Sequence, residues 1–343
     1  MKRFRRNSSM AKKALIIGAN GQDASYLAEM LVEKGYEVHG TVRRNSVPES
    51  QTTRINSVWE QGKIQLHYAD LTDPISIETN VQKLQPDELY HIAAQSHVQI
   101  SFDLPKYTLD VNGGGTLAVL EAVRRFSPKT KVYHAATSEM FGNSCDSDGY
   151  QRETTHMSPV SPYGCAKLYA HNLCHNYRNS YGMFICSGIL FNHESPRRGI
   201  NFVTNKVALQ AAKIKLGMEN ELVLGNLRAK RDWGHAKDYV RGMWNMLQMP
   251  KADDYVLATG YAYSVEDMVE FVFEHLGMDY RKYVKTDKKY ERPEELHYLR
   301  GDASKAKREM AWEPTISFEE MMEEMADYWM HKLQNPKLEF NTI

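Results

Sequence analysis

From Lys12 onward, short apolar runs alternate with longer amphipathic stretches. A period of two marks strands and a period of about 3.6 marks helices, so this alternation predicts β-α-β units and a parallel sheet. Strands are expected at residues 14–17, 37–42, 64–68, 88–92, 131–135 and 183–190, and helices at 22–34, 75–84, 107–126 and 161–181. After about residue 191 the rhythm changes. The cluster Ser195-Pro196-Arg197-Arg198-Gly199 breaks the pattern, and a helix at 203–216, a short strand at 222–224 and helices at 236–247, 264–276 and 317–331 follow. Six strands with helical crossovers predict a doubly wound parallel α/β sheet at residues 10–191. Residues 192–343 are expected to form a smaller C-terminal lobe, with the chain crossing between the two. The Met321-Met322…Met325 spacing suits a packed terminal helix better than a recognition surface.

Composition narrows the classes of function. Lys+Arg and Asp+Glu both number 43, giving a formal net charge of +0, which argues against a nucleic-acid binder because phosphate neutralisation needs a basic surface. A chain of 343 residues suits two domains of about 150 residues each. Cys145, Cys165, Cys174 and Cys186 show no CxxC spacing, which fits free thiols in a reducing, cytoplasmic compartment. The longest apolar run, residues 184–191, is too short for a bilayer span, so no membrane partner is expected. Residues 1–9 carry Lys2, Arg3, Arg5 and Arg6 with no apolar run behind them and are expected to be a disordered extension or tag, not a secretory signal.

Candidate chemistry begins at the first strand-to-helix turn, Gly18-Ala19-Asn20-Gly21-Gln22-Asp23-Ala24. Gly18 permits a tight turn, Gly21 lets backbone approach a pyrophosphate, and Ala24 allows close helix packing, with the helix N-terminus facing the anion. A glycine turn is also a generic connector, so the following strand ends matter. The second reads Thr41-Val42-Arg43-Arg44-Asn45-Ser46, where an NAD reader usually has an acid; two arginines suit a 2′-phosphate, and a solvated basic turn is the bland alternative. Asp70-Leu71 closes the third strand and Ala93-Ala94-Gln95-Ser96 the fourth. Their succession along one sheet edge predicts a Rossmann-like dinucleotide site.

Beyond the fifth strand come Ala136-Thr137-Ser138-Glu139 and then Tyr163-Gly164-Cys165-Ala166-Lys167. Positions four apart share a helix face, so Lys167 is expected to hold its ammonium near the Tyr163 phenol and favour the phenolate, a base for hydride chemistry on an alcohol. His171 and His175, also four apart, could bind zinc, but no third ligand is evident and no metal is expected.

The turn, Thr137 and the YxxxK string together resemble the extended short-chain dehydrogenase/reductases that act on nucleotide sugars. Longer strings narrow the match: Gly21-Gln22-Asp23, Val42-Arg43-Arg44, Ala94-Gln95-Ser96-His97-Val98, Thr137-Ser138-Glu139, Asn192-His193-Glu194-Ser195-Pro196-Arg197-Arg198-Gly199, Asn201-Phe202-Val203-Thr204 and Lys230-Arg231-Asp232-Trp233-Gly234-His235. With these, residues from Lys12 to beyond Trp312 resemble the GDP-mannose 4,6-dehydratase family. The resemblance implies NADP held by Gly18, Asn20, Gly21, Gln22, Asp23, Arg43, Arg44, Asp70, Leu71, Ala93, Gln95, Tyr163, Lys167, Leu190, Asn192, His193 and Arg198. It implies a GDP-sugar, GDP-mannose or a related GDP-manno-heptose, held by Ser96, Asn192, Val203, Lys206, Arg231, Arg292 and Glu295. An epimerase or reductase is the alternative that would not need Glu139. The implied catalytic groups are Thr137, Glu139, Tyr163 and Lys167: Tyr163 takes the 4-hydroxyl proton, Glu139 the proton on carbon 5, and a hydride leaving carbon 4 returns to carbon 6. The family often reads Arg-Lys where this chain has Asn205-Lys206, so a contact from that arginine is lost, and Cys165 replaces a small residue. The polar insert 43–54 implies reach into a neighbouring subunit and a homotetramer.

Overall fold

In the computed structural model of the chain, which describes residues 11–44, 53–290 and 292–336, the first strand is apolar on both faces at Ala14, Leu15, Ile16 and Ile17. That composition belongs to a strand covered by helices on both sides. In chain order come β1 (Lys13–Ile17), α1 (Gln22–Glu33), β2 (Glu37–Val42), the single-turn α2 (Asn56–Trp59), β3 (Ile64–Tyr68), α3 (Pro74–Leu84) and β4 (Glu88–His91). Then follow α4 (Val98–Asp103), α5 (Pro105–Leu109), a π turn (Asp110–Gly114), α6 (Gly115–Phe126), β5 (Lys131–Thr137), α7 (Pro162–Tyr181) and β6 (Ile185–Leu190). The second half supplies β7 (Asn192–Glu194), α8 (Val203–Lys215), β8 (Leu222–Leu224), β9 (Lys230–Arg231), β10 (Trp233–His235), α9 (Ala236–Gln248), β11 (Asp254–Leu257), β12 (Tyr263–Ser264), α10 (Val265–His275), β13 (Val284–Thr286), α11 (Ser304–Met310) and α12 (Phe318–Gln334).

The main sheet has seven strands in the order β11-β6-β5-β4-β1-β2-β3, with every pairing parallel. This is a Rossmann-like doubly wound sheet. The order reverses between β1 and β4, which opens a crevice at the carboxyl ends of these strands. One face packs Tyr90, Tyr133 and Cys186 under α1 and α9, and the other packs Leu89, Val132 and Ile185 under α3, α6 and α7. A separate core in the second half gathers Trp233, Phe318, Met321, Met322 and Met325, so the methionines of α12 are packing residues.

Two expectations need correction. The sheet has seven strands, not six: β11 pairs with β6 in the register Asp254↔Ser187 to Leu257↔Leu190. Four residues between polar neighbours give little periodic signal, and it is the fully buried β6 that calls for a partner there. The helix expected at 107–126 is instead α5, a π turn and α6. Asn112, inside the π turn, bonds the Gln95 backbone in both directions, its Oδ1 accepting from N at 2.9 Å and its Nδ2 donating to O at 3.0 Å. The register widens to make that tertiary bond, as π turns commonly do beside functional sites.

Candidate active site

The glycine turn sits where β1 meets α1. Gly18 has φ +90°, and a Cβ there would stand 2.7 Å from the Ala93 Cβ, so both backbone conformation and the close approach of β4 require glycine. Thr41 fixes the turn from β2: its Oγ1 accepts from Gly18 N at 3.2 Å and its carbonyl from Ala19 N at 2.8 Å. A Cβ at Gly21 would meet only the Gly18 carbonyl, at 3.6 Å, and the N-cap of α1 carries no side-chain acceptor. The first N–H groups of a twelve-residue helix therefore face an open cradle, the arrangement that binds a phosphate.

The other strand ends lie along the same edge. Arg43 and Arg44 follow β2, and Arg43 Nη1 donates to the Tyr107 hydroxyl at 2.6 Å. Asp70 accepts from Thr72 N at 2.9 Å, and Leu71 packs on Gly115. Two amides expected at the cofactor are bonded within the protein. Gln22 Nε2 donates to Asp23 and to the His193 carbonyl while its Oε1 accepts from Ser195, and Gln95 Nε2 donates to Thr108 and the His97 carbonyl. Asn20 offers its carbonyl to Arg54 at 3.3 Å.

Next to this edge opens a cavity of about 420 Å³, within the range of small-molecule sites. Asp23, Leu190, Asn192, His193 and Arg198 line it from the nucleotide side, together with Thr137, Glu139, Tyr163 and Lys167. Gly18, Asn20, Gly21, Gln22, Arg43, Arg44, Asp70, Leu71, Ala93 and Gln95 do not line it and belong to the outer sheet edge. His193 Nε2 bonds Asp23 Oδ2 at 2.7 Å and Nδ1 bonds the Phe191 carbonyl at 2.8 Å. With acceptors at both nitrogens the imidazolium form is favoured. Burial opposes both charges, but the Asp23 carboxylate raises His193 and the imidazolium lowers Asp23.

Thr137 ends β5 and caps a short 3-10 turn, its Oγ1 accepting from Glu139 N at 3.2 Å. Tyr163 lies in the first turn of α7, which Ser161 caps by accepting from Gly164 N at 3.0 Å. Burial pushes the phenol up to about 12, with the Thr137 hydroxyl pulling the other way and the Glu139 charge adding to the rise. The ammonium of Lys167 lies over the Tyr163 ring, on the expected helix face, but makes no hydrogen bond to the phenol among the described residues. Lys167 Nζ donates to the Ala135 carbonyl at 2.8 Å and stands 6.0 Å from the Tyr163 ring centre, because that buried carbonyl captures the ammonium. Burial brings Lys167 down to about 8. Glu139 is 7% exposed; Oε1 accepts from Arg292 Nη1 at 3.4 Å, and Oε2 has no partner among the described residues.

The far wall carries Ser96, Asn192, Val203, Lys206, Arg231, Arg292 and Glu295, all lining the same cavity. Arg231 Nη2 lies 3.6 Å from Glu295 Oε1, and burial lowers Arg231 to about 10 against the raising pull of Glu139. Lys206 Nζ donates to the Val223 carbonyl at 2.8 Å and stands 4.5 Å from the Tyr290 ring centre. Four cations, Lys206, Arg231, Lys289 and Arg292, face two carboxylates, Glu139 and Glu295. That excess suits a dianionic ligand.

Sequence reasoning missed several neighbours. Tyr290 and Lys289 line the wall; an exposed aromatic just before Arg292 was the available signal. Glu194, 2% exposed, accepts from Thr204 at 2.6 Å and sits 3.0 Å from Arg198 Nε, a charge contact too poorly aligned for a hydrogen bond. The two histidines weighed as metal ligands part company: His171 is buried against Ser187 and His175 is exposed. No group of three metal-ligating side chains occurs among the described residues. All four cysteines are unpaired, and no described helix is long and apolar enough to cross a membrane. Residues 1–10, Asn45, Ser46 and most of the 43–54 insert lie outside the described residues.

The sequence model of the family described as GDP-mannose 4,6 dehydratase matches residues 15–325. The chain is 49% identical over 326 residues to GDP-mannose 4,6 dehydratase 2 of Arabidopsis thaliana, covering 92% of this chain and 86% of that one. It is 47% identical over 337 residues to GDP-mannose 4,6 dehydratase of Homo sapiens, covering 91% and 90%. Among solved structures, the UDP-glucose 4-epimerase of Thermotoga maritima with UDP-glucose superposes with a TM-score of 0.82 at 23% identity, covering 94% of this chain and 99% of that one.

Proposed function

The chain belongs to the GDP-mannose 4,6-dehydratase family, and from that membership and the site geometry we propose that it is an NADP-dependent hydro-lyase. It converts GDP-D-mannose to GDP-4-keto-6-deoxy-D-mannose and water. The observation that carries the reading is that Tyr163 and Glu139 line one cavity, facing a wall of cations suited to a diphosphate.

The residues fit a dinucleotide. The open cradle at Gly21, the positive φ of Gly18 and the cationic ends of β2 suit a pyrophosphate and a 2′-phosphate. Gly18, Gly21 and the first N–H groups of α1 would hold the pyrophosphate, Arg43 and Arg44 the 2′-phosphate, and Lys167, His193 and Arg198 the nicotinamide end. When bound, NADP supplies a hydride acceptor for carbon 4 and gives the hydride back at carbon 6, so no net redox change results.

The side chains handle the protons. Tyr163 takes the proton of the 4-hydroxyl as that carbon becomes a ketone, and Thr137 holds the reacting oxygen. The ketone acidifies the proton on carbon 5, which Glu139 removes and passes to the departing 6-hydroxyl as water. Arg231, Arg292 and Lys206 fix the diphosphate, and Glu295 accepts from ribose hydroxyls. Their binding energy orients the hexose over Tyr163 and Glu139. The assembly that goes with this reading is a homotetramer.

Incubation with GDP-mannose tests the reading. A 4-keto-6-deoxy product without net NADPH is expected; cofactor binding without turnover would overturn it.

A further inference from the structure

Beneath the active site a row of polar side chains crosses the sheet. His91 on β4, His134 on β5 and Ser187 on β6 are in register, His91↔His134 and His134↔Ser187. They sit between the strand residues whose side chains pack under α6 and α7. Tyr163, Lys167 and His171 follow at four-residue steps along α7, so one helix face leads from the catalytic phenol down to this row. All three row members are at most 3% exposed.

Their bonds are incomplete in a particular way. Thr116 Oγ1 donates to the Asn112 carbonyl at 2.7 Å, so it accepts from His91 Nε2 at 2.9 Å, and His91 Nδ1 is left as an acceptor without a partner among the described residues. Neither nitrogen of His134 has a partner among the described residues, although its ring centre is 5.5 Å from that of His91. At the far end His171 Nδ1 meets Ser187 Oγ at 2.9 Å, and His171 Nε2 is 3.9 Å from Asp254 Oδ2, while Arg178 pairs the Oδ1 of the same carboxylate at the sheet edge. Unmade hydrogen bonds at buried nitrogens are expensive, and ordered water with two to four polar partners is the usual remedy.

We propose that His134 is the centre of a buried water-binding site that conducts protons from Tyr163 and Lys167 through His171 to Asp254. The inference rests on the dehydratase reading. A neutral imidazole relays by accepting at one nitrogen and releasing from the other. Burial and the Lys167 ammonium, with the neighbouring His91 and His171, hold His134 neutral, so it passes a proton without trapping it. Burial lowers His171 as well, while Asp254 raises it and Arg178 and His175 oppose. Cys174, on the same helix, is held as a thiol by burial and takes no part.

The proton count balances. In each turnover Tyr163 gains the 4-hydroxyl proton, which leaves along the row to solvent. Glu139 moves the carbon 5 proton to the departing hydroxyl, and carbon 5 recovers one proton from solvent through Glu139. Each O–H or N–H bond broken in the row is matched by one formed at the next member, and no electrons move.

Rapid-mixing assays of the whole protein with its cofactor and GDP-mannose test this in His134→Phe and His134→Gln. Neither side chain can relay, and Gln keeps hydrogen-bonding capacity should Phe fail to fold. A first product equivalent per site is expected at the unaltered rate. A steady state at least about tenfold slower should follow, with KM falling in step so that kcat/KM is unchanged, and with a larger solvent deuterium effect. Equal slowing of the first turnover would indicate a structural role and overturn the relay, as would an unchanged steady state in both variants. If the unaltered protein forms no product even in the first turnover, the proposed function fails instead.

Discussion

Replacing Glu139 by Gln removes the base while keeping its shape. The side chain is 7% exposed, its Oε2 has no partner among the described residues, and Oε1 meets Arg292 at 3.4 Å, so a carboxamide can occupy the same space. Losing a positioned general base costs about 10²–10⁴ in rate, or about 3–5 kcal/mol of barrier. The binding wall moves the other way. Glu139 is one of two carboxylates facing Arg231, and without it the wall is more positive toward a diphosphate. KM should therefore stay level or fall while kcat collapses. Tyr163 remains, so hydride still leaves carbon 4, and reduced nicotinamide should accumulate to about one equivalent per site on mixing with GDP-mannose. Stopped-flow absorbance reads that accumulation, and mass spectrometry reads product. A kcat within about threefold of the unaltered protein, or slow turnover with no reduced nicotinamide, would refute the division of labour between Tyr163 and Glu139.

Three further outcomes follow from the structure. The Asp23–His193 pair is stabilising between the ordinary values of 3.8 and 6.5, because Asp23 is lowered and His193 raised; that contribution fades as pH climbs through the raised value of His193 or falls through the lowered value of Asp23. His193→Gln should thus flatten the decline of Tm above pH 6.5, and an undiminished decline would count against the pair. Gly18→Ala, which forces a Cβ to 2.7 Å from Ala93 at φ +90°, should cost about 1–3 kcal/mol and strip the nucleotide carried through purification; retention of full cofactor would contradict the cradle. Arg44→Glu should weaken NADP retention and shift the gel-filtration volume toward smaller assemblies, and an unchanged volume would speak against the proposed homotetramer.

Local chemistry was legible before the fold. The turn at Gly18, the end of β5 at Thr137 and the start of α7 at Tyr163 all follow from residue types that only a few backbone geometries tolerate. Distant contacts were not. The π turn exists because Asn112 reaches the Gln95 backbone, and β11 exists because β6 needs a neighbour; neither partner is near in sequence. Lys167 shows the limit most clearly. Spacing places it on the face of Tyr163, but the Ala135 carbonyl decides where its ammonium rests. The wall around Arg231 and Arg292 was visible only through long family strings, since isolated arginines carry no positional signal.

The most direct test follows a labelled hydrogen. GDP-mannose carrying deuterium on carbon 4 should give a 4-keto-6-deoxy product with that deuterium on carbon 6 of the same molecule, even when mixed with unlabelled substrate. Deuterium lost to solvent, or shared between molecules, would contradict the closed cycle in which Tyr163 and Glu139 move protons while the hydride never leaves the site.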